Sequence, residues 1–143
     1  MAANYHGPIN CLAALQPQLT SGNRVVLVSS MAHWLPFPRA EAYGASKAAL
    51  TWFANSLRLD WEPKGIAVTV VSPGFVDTPL TRKNDFPMPG QVSVEQAVKA
   101  IRRGLAKGKN SIAFPTGFGV LLRLLAGLPE SLQRALLRRM VRS

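Results

Sequence analysis

Val25-Val26-Leu27-Val28 runs without a break into Ser29-Ser30, and thirteen residues beyond the second serine stands Tyr43-Gly44-Ala45-Ser46-Lys47. The apolar run, entered from the Ser21-Gly22-Asn23 turn, reads as a strand over 24–30 buried on both faces, as in a parallel sheet. A loop carrying Pro36 and Pro38 follows, and a helix is expected over 42–61. Glu62-Pro63 ends it, because the residue before a proline avoids helical geometry. Lys64-Gly65 turns the chain into a second strand over 66–71, Ile-Ala-Val-Thr-Val-Val. Strand, helix and strand at this spacing form a right-handed crossover unit, so the fold class is α/β with a parallel sheet.

The chemistry lies at the carboxyl ends of those strands. A tyrosine phenol, with an ordinary pKa of about 10, needs a fixed cation nearby before it can exchange protons at neutral pH. On a helix, Tyr43 and Lys47 share a face one turn apart, so the ammonium of Lys47 meets that need. A hydroxyl from Ser30 could then hold a substrate oxygen against the phenol. Taken alone, Tyr-x-x-x-Lys reads equally well as a solvated helix face. Its company changes that: Asn4-Tyr5-His6-Gly7 opens the chain, and Ser72-Pro73-Gly74-Phe75-Val76-Asp77-Thr78 follows the second strand.

These motifs, in this order, resemble the short-chain dehydrogenase/reductase family, and the resemblance runs from residue 1 to about residue 115. Asn4, Ser30, Tyr43 and Lys47 match the family's catalytic tetrad. The resemblance implies a Rossmann-like, doubly wound parallel sheet, NAD or NADP as cofactor, and interconversion of a carbonyl and an alcohol on a small-molecule substrate. Tyr43 would be the acid in reduction and the base in oxidation, with Lys47 easing its ionisation and holding the nicotinamide ribose. Ser30 would orient the substrate oxygen, and Asn4 would support Lys47 through a bound water. Pro73 and Gly74 would let the backbone pass close to the nicotinamide, while the Val76 backbone and the Thr78 hydroxyl would hold its carboxamide. Met31, Trp34 and Phe37 are expected as apolar pocket wall; His33, between the serine and the tyrosine, is a weaker candidate for substrate contact. No metal site is expected.

The family's first strand, its glycine-rich turn and the residue that selects NAD or NADP have no counterpart here, so the chain reads as the carboxyl-terminal half of such a domain. Thr116-Gly117-Phe118-Gly119, the one glycine-rich stretch, opens onto leucines without a following βαβ unit and reads as a turn. A helix is suggested by Ala2, Ala3, Ile9, Leu12, Ala13 and Leu15, without a capping residue before it. Cofactor binding energy would then be largely absent, leaving as the alternative a catalytically incompetent piece that serves as an interaction or membrane-surface module.

At 143 residues and 48% apolar content the chain can bury one core. Cys11 is the single cysteine, which excludes an internal disulfide, fits a reducing compartment, and in an apolar helix reads as a packed, inert thiol. No positively charged start leads into a long apolar stretch, so no secretory signal is expected, and the expected location is cytoplasmic. Residues 79–94, rich in Pro, Gly and polar groups, resemble the family's mobile substrate loop. A basic helix over 95–107 and a last strand over 111–114 follow, closing a catalytic unit of residues 1–115.

The site helix is apolar on more than one side. Leu50, Phe53, Leu57 and Trp61 form one stripe, and Ala45, Ala49, Trp52 and Leu59 spread over the remainder. One stripe would face the sheet and the other a second subunit, so a homo-oligomer is expected. Residues 116–143 read as a basic amphipathic helical extension: nine of the ten net positive charges lie in residues 99–143, where ten cations face one acid. Pro129 sits at a helix start, and Leu132, Leu136, Leu137, Met140 and Val141 recur opposite Arg134, Arg138, Arg139 and Arg142. Such a segment suits a peripheral membrane contact, the entrance for a lipophilic substrate, or packing on the domain or a neighbour. It does not suit nucleic acid, since aromatics are not interleaved with its cations.

Overall fold

The computed structural model describes residues 1–83, 85 and 88–138. Arg139, Met140, Val141 and Arg142 of the basic segment lie outside the described residues. A π-helical turn, Ala2–His6, runs directly into α1 (Gly7–Leu15), with Pro8 just past the junction. There follow β1 (Arg24–Val28), α2 (Glu41–Trp61), β2 (Ala67–Pro73), α3 (Val94–Ala106), β3 (Ser111–Phe114), α4 (Thr116–Ala126) and α5 (Glu130–Leu137). The three strands form one parallel sheet in the order β1-β2-β3. Gly65, at φ 72° and hydrogen-bonded back to Glu62, supplies the left-handed residue that ends the turn after α2.

The two faces of β2 carry different helices. Val68 and Val70 pack with Leu27 against Leu12 of α1 and Leu50, Ala54 and Trp61 of α2. Val71 on the opposite face packs with Ile112 and Phe114 against Ala97 of α3. Gly104 lets α3 come close to β3, because a Cβ there would lie 2.5 Å from Ile112 Cδ1. A third cluster joins Met31 and Leu35, just after β1, to Leu122 of α4.

The structure corrects four expectations. β1 ends at Val28 rather than at residue 30, although the Ser29 N–H still donates to Val71 O, while β2 runs on to Pro73. Nor is β1 buried on both faces: Val26 is 38% and Val28 54% exposed. Both share the side of Thr69 and Val71, where α3 covers β2 and β3 without reaching the edge strand. Cys11 is exposed rather than packed, since only Leu12 of α1 is buried. Thr116-Gly117-Phe118-Gly119 is the first turn of α4 and not a loop; Gly119 is chosen for contact, its Cβ position lying 3.0 Å from Met31 Cε.

Candidate active site

The site is assembled at the carboxyl edge of the sheet, where β1 and β2 hand the chain to loops. Ser30 is extended at φ −160°, and its Oγ accepts from Ala32 N–H at 3.2 Å, capping the short 3-10 turn Met31–His33. That turn lies against the start of α2, because Gly44 carries no Cβ; one built there would sit 3.2 Å from Ala32 O. The glycine in Tyr-Gly-Ala-Ser-Lys therefore allows the serine-bearing turn and the tyrosine-bearing turn to meet. Tyr43 is 45% exposed, which leaves its phenol open to a ligand.

Lys47 reaches the other way, to the strand. Its Nζ donates to Val28 O at 2.9 Å and lies 5.9 Å from the centre of the Tyr43 ring. An ammonium has three donors, so the bond to Val28 leaves two for other partners. Burial holds its pKa below the usual lysine value, since desolvation disfavours the charged form.

Ser29, the residue next to the candidate serine, fixes this geometry. Its buried hydroxyl donates to Lys47 O at 3.1 Å and shares a 2.6 Å bond with Thr51 Oγ1. The end of β1 is thereby bolted to the turn of α2 that carries the lysine. Ser46 does similar work one turn earlier, donating to Tyr43 O at 2.7 Å and accepting from Asn4 Nδ2 at 3.2 Å. Asn4 thus reaches α2 through Ser46, and the structure records no direct bond from it to Lys47 among the described residues. Neither Ser29 nor Ser46 was among the candidates. The period of two, which puts Ser29 on the helix-facing side of β1 with Leu27, was the available signal.

Beyond β2, Gly74 N–H donates to Phe114 O at 2.8 Å, and a Cβ on Gly74 would come within 3.4 Å of Met31 Sδ. Val76 forms an isolated parallel bridge with Val92, in which Phe75 O and Asp77 N–H are the bonded groups. The Val76 N–H is therefore directed away from Val92. The Thr78 hydroxyl, expected to be free for a ligand, shares a 3.1 Å bond with Thr81 Oγ1, whose own hydroxyl donates to Val76 O at 2.6 Å. Arg82 closes this turn on Asp77 at 2.7 Å and holds its carboxyl below the usual range.

The three expected pocket residues come together, but beneath α4. Met31 is only 2% exposed, and Trp34 and Phe37 pack half-buried around the same cluster. Arg123 of α4 lies 4.6 Å from the Trp34 ring centre and donates to Ser111 Oγ. His33 stands edge-on to Trp34, with Nδ1 bonded to Ser30 O. Burial lowers its pKa; the Ser30 carbonyl pulls the other way and the Arg123 charge adds to the lowering.

With this geometry in place, the comparisons with known proteins are specific. A family model described as short chain dehydrogenase matches residues 1–87. An uncharacterized oxidoreductase of Myxococcus xanthus is 37% identical over 139 residues, which are 96% of this chain and 55% of that protein. An 11-beta-hydroxysteroid dehydrogenase-like protein of Arabidopsis thaliana is 33% identical over 138 residues, covering 90% of this chain and 46% of its own length. A crystal structure of a short chain dehydrogenase from Burkholderia cenocepacia in complex with NADP is similar at TM-score 0.78 and 27% identity, over 96% of this chain and 56% of that one. The chain belongs to the short-chain dehydrogenase family. It spans about half the length of the relatives it matches.

Proposed function

We propose that the chain carries the proton-transfer half of an NAD(P)-dependent oxidoreductase that interconverts a carbonyl and an alcohol. The observation that carries this reading is the lysine ammonium, pinned to the last carbonyl of β1 and standing 5.9 Å from the ring of an open tyrosine. NADP in the Burkholderia relative and the oxidoreductase names of the sequence relatives agree with it.

The residues at the sheet edge fit the nicotinamide end of such a cofactor. Lys47 keeps two donors for ribose hydroxyls, Val76 turns an N–H away from its bridge, and Gly74 presents backbone without a side chain. Thr78 would join them once its hydroxyl turned from Thr81. The dinucleotide, when bound, supplies or accepts the hydride.

In the reducing direction Ser30 Oγ, already accepting from Ala32, has its hydroxyl proton to donate to the substrate carbonyl oxygen. The Tyr43 phenol gives that oxygen a proton as negative charge develops on it, and the Lys47 charge stabilises the phenolate that remains. Positioned proton transfer of this kind contributes about 10²–10⁴-fold to rate. Asn4 acts as a positioning residue through Ser46.

The outer face of α2 is the proposed subunit contact, because Trp52 is 81% and Leu59 72% exposed on a helix whose other face is in the core. A second reading, a binding module without turnover, is favoured by the Thr78 hydroxyl, which is already bonded to Thr81 Oγ1.

The test follows NADPH and NADH absorbance against a panel of aldehydes and ketones, with cofactor titration by fluorescence. Turnover that falls at least about 100-fold in Tyr43→Phe, with cofactor affinity kept, is the expected result. Equal rates in the two proteins would refute the role of Tyr43. Absence of both cofactor binding and turnover would favour the module.

A further inference from the structure

We propose that the corner formed by α4 and α5 is a docking surface for an anionic lipid bilayer. α4 is apolar on both sides. Its inner face sets Gly119 and Leu122 against Met31 and Leu35, whereas Val120, Leu121 and Leu124 on its outer face are 53%, 51% and 67% exposed. A helix apolar all round is one that is covered on all sides in its working state. Leu132 and Leu136 of α5 add 51% and 42% exposed side chains next in sequence.

One side chain pins the corner. Gln133 Nε2 donates to Ala126 O at 3.0 Å and to Leu128 O at 2.7 Å, satisfying carbonyls at the end of α4 and fixing α5 to it. No helix among the described residues is long and apolar enough to cross a membrane, so contact at this corner lies in the interface plane.

Charge decides which occupant fits. Across residues 116–138, which form the corner, Arg123, Arg134 and Arg138 stand against Glu130 as the one acid. A second copy docking through the same corner would bring like charge against like charge, which opposes pairing. An anionic surface is attracted by Arg123 at the side of α4 and by Arg134 and Arg138, which lie across α5 from Leu132 and Leu136. Arg123 lies beside the apolar face of α4, while Arg134 and Arg138, with Glu130, Pro36, Pro38 and Leu137, line a shallow groove of about 260 Å³. The five exposed apolar side chains are all aliphatic, which suits acyl chains; nucleic acid would call for aromatic stacking.

The inner face of α4 packs on Met31, Trp34 and Phe37, which follow the candidate serine in the chain. Docking would therefore set that wall one helix thickness from the acyl region, a direct approach for a lipophilic alcohol or ketone. This last link rests on the redox reading, but the docking does not. Vesicle binding needs no turnover, so the two can fail separately.

The experiment is co-sedimentation of the chain with vesicles of phosphatidylcholine alone and of phosphatidylcholine mixed with phosphatidylserine. Binding to the mixed vesicles, weakened by salt, is expected, with roughly 30-fold loss in Arg134→Gln/Arg138→Gln, since each basic residue near an anionic surface contributes about a fivefold factor. Leu121→Ser/Leu124→Ser, at positions already exposed, should also release the chain while leaving its thermal melt unchanged. Three results would each overturn the proposal: no wild-type binding, binding indifferent to phosphatidylserine, or undiminished binding by the leucine variant. Sedimentation showing instead that the leucine variant abolishes self-association would assign the corner to a second copy.

Discussion

Ser29→Ala removes two hydrogen bonds from the place where β1 meets α2. Its hydroxyl donates to Lys47 O at 3.1 Å and shares a 2.6 Å bond with Thr51 Oγ1, in surroundings that leave Ser29 3% exposed. An internal hydrogen bond contributes about 0.5–1.5 kcal/mol net, and a buried partner left unsatisfied costs about 1–3 kcal/mol. Lys47 O keeps the ordinary helical bond from the Thr51 N–H, and the Thr51 hydroxyl can turn back onto that same carbonyl, so neither partner is fully orphaned. Ser29→Ala should therefore destabilise the chain by about 1–2 kcal/mol and Thr51→Val by about 1 kcal/mol. The double variant should fall short of the sum by about 1 kcal/mol, because the shared bond can be lost only once. Urea unfolding of the four proteins, at one protein concentration, measures this cycle from their midpoints at constant slope. Strict additivity would mean that the two hydroxyls do not bond, leaving only the Ser29–Lys47 bond to join the strand to the lysine turn.

Gly104→Ala gains helix propensity of about 1 kcal/mol but sets a Cβ 2.5 Å and 2.6 Å from two atoms of buried Ile112; net destabilisation of about 1–2 kcal/mol is expected. Adding Ile112→Val should recover part of it in the same unfolding assay, and an unchanged or raised midpoint for Gly104→Ala alone would contradict the close packing of α3 on β3. Trp52→Ser/Leu59→Ser should leave the melt in place while weakening self-association at least about tenfold by sedimentation velocity; unaltered association would remove the outer face of α2 as the subunit contact. His33 has a folded-state pKa below its ordinary 6.5, so the unfolded chain takes up its proton first. Its contribution is present above that value and is lost as pH falls through it toward the lower folded pKa. The drop in unfolding midpoint between about pH 7.5 and about pH 5.5 should thus be larger in the wild type than in His33→Gln. Equal drops would show that the imidazole titrates as it does in water.

The order of chemical residues was written plainly. Tyr43 and Lys47 had to share a face because a helix repeats every 3.6 residues, and Ser30 had to stand near the carboxyl edge because it follows an apolar strand. The helix and the strands were legible to within two residues at their ends, since Pro63, Gly65 and the apolar runs act through local backbone geometry. Contacts between elements were not legible. That Ser29 would grip Thr51, or that Asn4 would reach Ser46 forty-two residues away, depends on how β1 and the opening turn sit against α2.

The same division explains the expectations that failed. A run such as Val25-Val26-Leu27-Val28 states that a strand is apolar; whether both faces are covered depends on how far α3 extends across the sheet, which composition cannot specify. Thr116-Gly117-Phe118-Gly119 carries two glycines that read locally as a turn, yet contact of Gly119 with Met31 and burial of Leu122 override the propensity, because one missing Cβ admits a whole helix onto the core. By itself the sequence determined the α/β order of elements and that Tyr43 and Lys47 share a helix face, which follow from short-range periodicity and spacing, and its motifs carried the family resemblance. Tertiary structure alone decided which hydroxyls position the lysine, that Met31, Trp34 and Phe37 lie beneath α4, and that the outer leucines of that helix are left uncovered by the rest of the chain. Those outcomes are set by packing between segments far apart in the chain, where shape and distance count and local pattern carries no information.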